Sequence, residues 1–197
     1  GLSTKRFLKI KARGKDPEMP KGFYEHLLEP DDPSLIQHLI KGGNYGLAAG
    51  NGLVVVETDG EPLVSLLRNR FKTFTVVSGG KKYPHFYFTV DDLPADLQKQ
   101  LSLHYGFEET KQGLAPMNIG HVKVEKSYVV GPGSVHPSGG LYVVGLDAPI
   151  AKVSWKELLD VLKPFMSDTI REARERIERA AEPEKKLNIS IMKILEV

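Results

Sequence analysis

Strand-like and helix-like segments alternate through the first 150 residues, which predicts a mixed sheet domain, α/β or α+β, followed by a helical tail. Three observations carry that expectation. The β-branched run Val54 to Val56 has the composition of a buried strand, and His85-Phe-Tyr-Phe opens a second, aromatic one. Between and around them, short segments such as 31–42 carry helix start and stop signals. The chain of 197 residues, 41% hydrophobic and 26% charged, is long enough for one core with chain left over, and excludes disorder or a collagen-like repeat.

The elements follow in order. In DDPSLIQHLIKG, Asp31 or Asp32 caps a helix, Pro33 fits its first turn, and Gly42 ends it. Leu35, Ile36, Leu39 and Ile40 form its apolar stripe. The glycine-rich segment 44–52 reads as a turn leading into the strand Leu53-Val-Val-Val-Glu-Thr-Asp59. Glu61-Pro62 starts a helix through Arg70, with Leu63, Leu66 and Leu67 inward. Strands are expected over 73–77 and 85–90, joined by Ser78-Gly79-Gly80, then a helix over 93–103. Residues 121–125, 127–130 and 141–144 read as further strands, and 131–140 as glycine- and proline-rich turns.

Beyond residue 150 the pattern changes. Ser154-Trp-Lys-Glu157 is a capping box, Trp155, Leu158, Leu159 and Leu162 share a face, and Pro164 interrupts them. A polar helix is expected over 168–181, with Glu172/Arg176 and Glu175/Arg179 four apart. The last eleven residues, LNISIMKILEV, turn apolar again, so we expect a piece of a longer protein. The division is therefore a domain over 1–150 and a helical appendage over 151–197.

There are no cysteines, which removes disulfides, zinc ribbons, iron–sulfur ligation and thiol nucleophiles and fits a reducing cytoplasm. No apolar run approaches the roughly 18 residues of a membrane span, and the basic N-terminus never becomes the apolar core of a signal peptide. No membrane partner is expected. Net charge is only +2. Seven basic residues nevertheless fall between Lys5 and Lys21 against Asp16 and Glu18, a local positive field suited to phosphates or simply to solvent. Lys11, Arg13 and Lys15 are its DNA-binding candidates.

Strand alternation puts Leu53, Val55, Glu57 and Asp59 on one face, ending in two carboxylates about 7 Å apart. Unpaired carboxylates are costly to bury, so the pair faces water, a basic group or a cation. Hard divalent ions want such oxygens and keep positions for substrate phosphates. A strand running out into the Asp59-Gly60 turn accounts for the same residues. Ser78-Gly79-Gly80-Lys81-Lys82 can turn backbone N–H groups toward an anion with two lysines beside it, or be a plain hairpin. Alternation places His85 with Tyr87, opposite Phe86 and Phe88. Ser134 and His136 sit in the tight turns after Tyr128-Val-Val.

Taken in order, Gly52-Leu-Val-Val-Val-Glu57-Thr-Asp59, Ser78-Gly-Gly with His85, and Tyr128-Val-Val-Gly-Pro-Gly-Ser134-Val-His136-Pro-Ser-Gly resemble the prim-pol domain of the archaeo-eukaryotic primase superfamily. The resemblance runs from residue 13 to about 145 and is strongest to archaeal plasmid replication proteins. It implies an α+β fold: an RRM-like catalytic sheet with a small N-terminal α/β unit packed on it, and a helical tail. It implies primase or DNA polymerase chemistry in plasmid or viral replication, with DNA template, primer and nucleotides as partners and a helicase domain downstream. Glu57 and Asp59 would then bind divalent metal, magnesium or manganese. Ser78, Gly79, Gly80, Lys81, Lys82 and His85 would hold the nucleoside triphosphate, together with Ser134 and His136.

Two departures from the family pattern stand out. The acids run Glu-x-Asp, where aspartate usually comes first. The third family carboxylate falls at position 121, which here is His121, a ligand better suited to manganese or zinc than to magnesium. Glu125 lies four residues along the same strand face and would substitute only with a backbone shift. The alternative is therefore a catalytically silent module that binds nucleotide or DNA. A rolling-circle initiator would need two histidines flanking one apolar residue, and none of the six is so placed.

Overall fold

The computed structural model describes residues 6–19, 22–94, 97, 100–111 and 113–166. The chain builds β1 (Phe7–Ile10), α1 (Pro33–Ile40), β2 (Asn44–Ala48), β3 (Leu53–Thr58), α2 (Glu61–Arg70), β4 (Thr75–Val77) and β5 (Pro84–Thr89). There follow β6 (Gln100–Thr110), β7 (Gly113–Lys123), β8 (Tyr128–Val130), β9 (Val143–Leu146), β10 (Ala151–Lys152) and α3 (Trp155–Leu162). A small antiparallel sheet runs β1-β2-β8. The larger sheet runs β6-β7-β3-β5-β4-β9, antiparallel along that path, with β10 added parallel to β5. The architecture is α+β, as expected.

The larger sheet is covered on both faces, which explains why β3 is a continuous apolar run rather than an alternating one. On one face Val54, Val56, Phe86 and Phe88 pack with Leu63 and Leu67 of α2 and with Trp155, Leu158 and Leu162 of α3. On the other, Leu53, Val55 and Tyr87 meet Val129 and Val130 of the small sheet and Tyr142. Side chains of β3 therefore alternate between two cores. The small sheet covers only part of its face, and Glu57 emerges where that cover stops.

Local signals hold where they were strongest. Asp32 caps α1 by accepting from Ser34 N at 2.8 Å, with Pro33 in the first turn. Helix α2 spans the expected residues. Of the α1 stripe, however, only Leu35 is buried, and Ile40 is 72% exposed. The segment read as a turn after residue 44 begins with strand β2, because pairing between β1 and β8 satisfies its backbone. The helix expected over 93–103 gives way to β6 from Gln100 onward. Leu93, Leu97 and Leu101 have helical spacing and do touch the core, but pairing with β7 decides the backbone.

Residues 151–166, expected to start an appendage, are knit into the main core through β10 and α3. The helix expected over 168–181 and the apolar end lie outside the described residues. Among the described residues no helix is long and apolar enough to cross a membrane. The Ser154 hydroxyl accepts from Glu157 N at 3.0 Å, the expected cap. Ser154→Ala should cost about 1 kcal/mol and lower the melting temperature by roughly 2–4 °C in a thermal unfolding scan.

Candidate active site

Three strands bring one rung of side chains together. Glu57 on β3 is paired with His85 on β5 and with His121 on β7. Asp59 follows the strand end, its N–H donating to Ile119 O at 2.7 Å. A Cβ on Gly120 would collide with Glu57 O, so glycine is what lets β7 close against β3 here. Both carboxylates face a cleft of about 1000 Å³ that also takes in Lys15, Ser78, Gly80, Lys81, His85, His136 and Ser138.

Each acid meets a lysine. Glu57 Oε2 lies 3.2 Å from Lys123 Nζ, and Asp59 Oδ1 lies 3.4 Å from Lys81 Nζ. The two pairs differ in exposure: the Lys123 side chain is 17% exposed, that of Lys81 65%. Lys123 also donates to Gln100 Oε1 at 2.7 Å. With Lys15 and Lys126, four lysines and two carboxylates line the cleft, a surplus of two positive charges. That field suits a polyanion.

His85 lines the cleft, and its Nδ1 is buried without a hydrogen-bond partner among the described residues. Burial lowers its pKa; the nearby Glu57 and Asp59 carboxylates oppose that shift. Its ring meets Tyr142 edge-on at 6.3 Å, and His136 lies 6.0 Å from the same tyrosine. Tyr142, whose hydroxyl is pushed up to about 12 chiefly by burial, thus bridges the two histidine-bearing segments.

The glycines at 79 and 80 leave no room for a side chain. A Cβ on Gly79 would collide with Gly140 O and lie 2.7 Å from His136 Cβ, and one on Gly80 would lie 2.8 Å from the His136 ring. The turns 78–80 and 136–140 therefore abut backbone to backbone and form one rim of the cleft. His136 Nδ1 accepts from Ser138 N at 3.0 Å, which orients the ring.

Several expected site residues sit elsewhere. Gly79, Lys82 and Ser134 do not line the cleft. Ser134 is buried, its hydroxyl accepting from Tyr45 N at 3.3 Å to tie the turn to β2. Of the basic arm, Lys15 lines the cleft, whereas Lys11 and Arg13 do not. Glu125 accepts from Asn51 N at 3.1 Å and braces the turn before β3, so it is engaged away from the acids. His121 shares the rung with Glu57, but its Nε2 lies 3.4 Å from Asn118 Nδ2. Burial and then Lys123 lower its pKa, which favours the neutral ring.

The site residues missed from sequence are Gln100, Lys126, Tyr128, Ser138 and Tyr142, together with the pairing role of Lys123. Lys123 was findable as the same-face neighbour of His121. Tyr142 carries no local signal of its place in the cleft.

Among the described residues no three His, Cys, Asp or Glu side chains form a ready metal shell. The donor chemistry nevertheless fits a divalent ion. Two carboxylates from one strand end open into a cleft, each already neutralised by a cation, and the remaining positions would go to water and phosphate oxygens.

An antiparallel sheet covered by helices, with an acidic pair at one strand end above a lysine-lined cleft, is an archaeo-eukaryotic primase-like α+β fold. The chain belongs to the Prim-Pol family, bifunctional DNA primase/polymerase, N-terminal, which matches residues 6–155. No curated protein matches the chain. Membership in that family points to DNA primase or polymerase function, with DNA and nucleotides as partners.

Proposed function

We propose that this domain is an active, DNA-dependent nucleotidyltransferase that makes or extends primers. The observation that carries the reading is the Glu57/Asp59 pair facing a cleft with four lysines. In the reaction the primer 3′-oxygen attacks the α-phosphorus of the incoming nucleotide. A new phosphorus–oxygen bond forms, and the bond from the α-phosphorus to the α,β-bridging oxygen breaks. Pyrophosphate leaves with that electron pair, and the hydroxyl proton passes to solvent.

Glu57 and Asp59 would hold the divalent ion, which supplies charge stabilisation at the reacting phosphate when bound. Lys81, Ser78 and the Gly80 backbone border the space for the triphosphate, with His85 and His136 beside them. A neutral His85 protonated at Nε2 would present a donor to a phosphate oxygen. Lys15, Lys126 and Tyr128 also line the cleft, a set suited to a nucleic-acid strand. The resemblance of the YVVGPGSVHPSG stretch supports a plasmid or viral replication setting and a helicase domain as partner.

Templated primer extension with magnesium and with manganese tests this directly. Incorporation in either metal supports it. If none occurs and nucleotide still binds, the silent reading stands, favoured by His121 at the third acid position; incorporation gained by His121→Asp alone would establish it. For the strand-binding side, Lys15→Ala should weaken single-stranded DNA similarly across sequences. It should also flatten the log-affinity against log-salt slope by about 1. An unchanged slope would remove Lys15 from the interface.

A further inference from the structure

We infer that the site takes one divalent ion, and that the Lys123 ammonium supplies the second positive charge beside the reacting groups. The inference rests on the nucleotidyltransferase reading above and assigns Lys123 within it. Two-metal sites place one cation on the leaving phosphates and another on the attacking oxygen, held by shared carboxylates. Here the position for a further carboxylate is His121, on the rung beside Glu57, and no third acid joins the pair among the described residues.

The two lysines on the acids are not equivalent. Lys81 is 65% exposed and bound by one contact to Asp59, so an arriving ion or phosphate displaces it into water at little cost. Lys123 is held from both sides. Its ammonium sits between Glu57 Oε2 at 3.2 Å and Gln100 Oε1 at 2.7 Å, and its strand position is fixed by pairing with Val55 on β3 and Gln100 on β6. Displacing it would strand a largely shielded ammonium beside an incoming divalent ion. The ion therefore enters on the Asp59 side, and Lys123 keeps its place against Glu57. A fixed ammonium needs no reorganisation when negative charge develops, which is how a preorganised cation stabilises a transition state.

Manganese binding followed by electron paramagnetic resonance, with a deoxynucleoside triphosphate carrying a methylene α,β-bridge, tests the inference. The unaltered chain should bind one manganese per chain, and the double variant His121→Asp/Lys123→Ala should bind two. Lys123→Ala should lose extension by about a hundredfold or more, and Lys123→Arg should recover most of it. Two manganese ions on the unaltered chain with nucleotide bound would overturn the inference and leave the nucleotidyltransferase reading standing. Extension by Lys123→Ala at the unaltered rate would do the same. A chain that binds neither manganese nor the nucleotide would overturn both.

Discussion

Asp59→Asn should abolish templated extension, by about a thousandfold or more (~4 kcal/mol of transition-state stabilisation), while leaving the fold intact. The substitution keeps the side-chain shape and the backbone bond from Asp59 N to Ile119 O. The lysine it releases, Lys81, is exposed and returns to water, so the melting temperature should move by less than the effect of about 0.5 kcal/mol. Glu57→Gln should lose as much activity and differ in stability. Lys123 would keep Gln100 but lose its carboxylate in a site where both partners are mostly shielded, costing about 1 kcal/mol. Extension assays beside thermal melts of the two variants separate these outcomes. Full extension by Asp59→Asn would remove Asp59 from the chemistry, and full extension by Glu57→Gln would remove Glu57.

The largest structural effect is expected at the two abutting turns. Gly140→Ala would drive a methyl into Gly79 O, and Gly79→Ala would meet Gly140 O in return. Both neighbours are backbone, so neither can rotate away. Each substitution should cost about 2–3 kcal/mol, roughly 5–10 °C in melting temperature. Because these turns carry Ser78, Gly80, His136 and Ser138 into the cleft, nucleotide affinity should fall by at least about tenfold. Gly133→Ala provides the comparison. It meets open space but has φ +85°, so it should cost only about 1 kcal/mol from backbone strain. A Gly140→Ala protein as stable as Gly133→Ala would refute the close packing.

Much of the central sheet was legible because its signals are local. Val54 to Val56 could only be a buried strand, and Pro62 with Leu63 and Leu67 marks α2 at its observed place. Of the β6–β7 hairpin only the end was legible, the strand expected over 121–125 overlapping the last residues of β7. Leu101, Leu103, Tyr105 and Phe107 alternate with polar or small residues, as a strand requires, but Leu93, Leu97 and Leu101 fit a helix over the same stretch, and the two patterns compete. Nor could the packing of the glycines at 79 and 140 against each other be read from the sequence. Composition allowed an anion cradle or a plain hairpin at Gly79 and only a turn at Gly140, whereas the close approach that requires glycine at both is a contact between turns about 60 residues apart in sequence.

The same division runs through the site. Strand alternation alone places Glu57 and Asp59 on one face beyond the apolar residues, because side-chain direction along a strand depends only on position within it. What stands beside them was decided by tertiary structure. Glu57 meets His85 and His121 through cross-strand register, and Lys123 becomes its counter-ion only because β6 and β7 pair beside β3 with Gln100 opposite. Register is a relation between distant segments, so it follows from how the whole sheet buries its two apolar faces. The amino-acid order determined which residues could do chemistry; the packing of the sheet decided which of them meet.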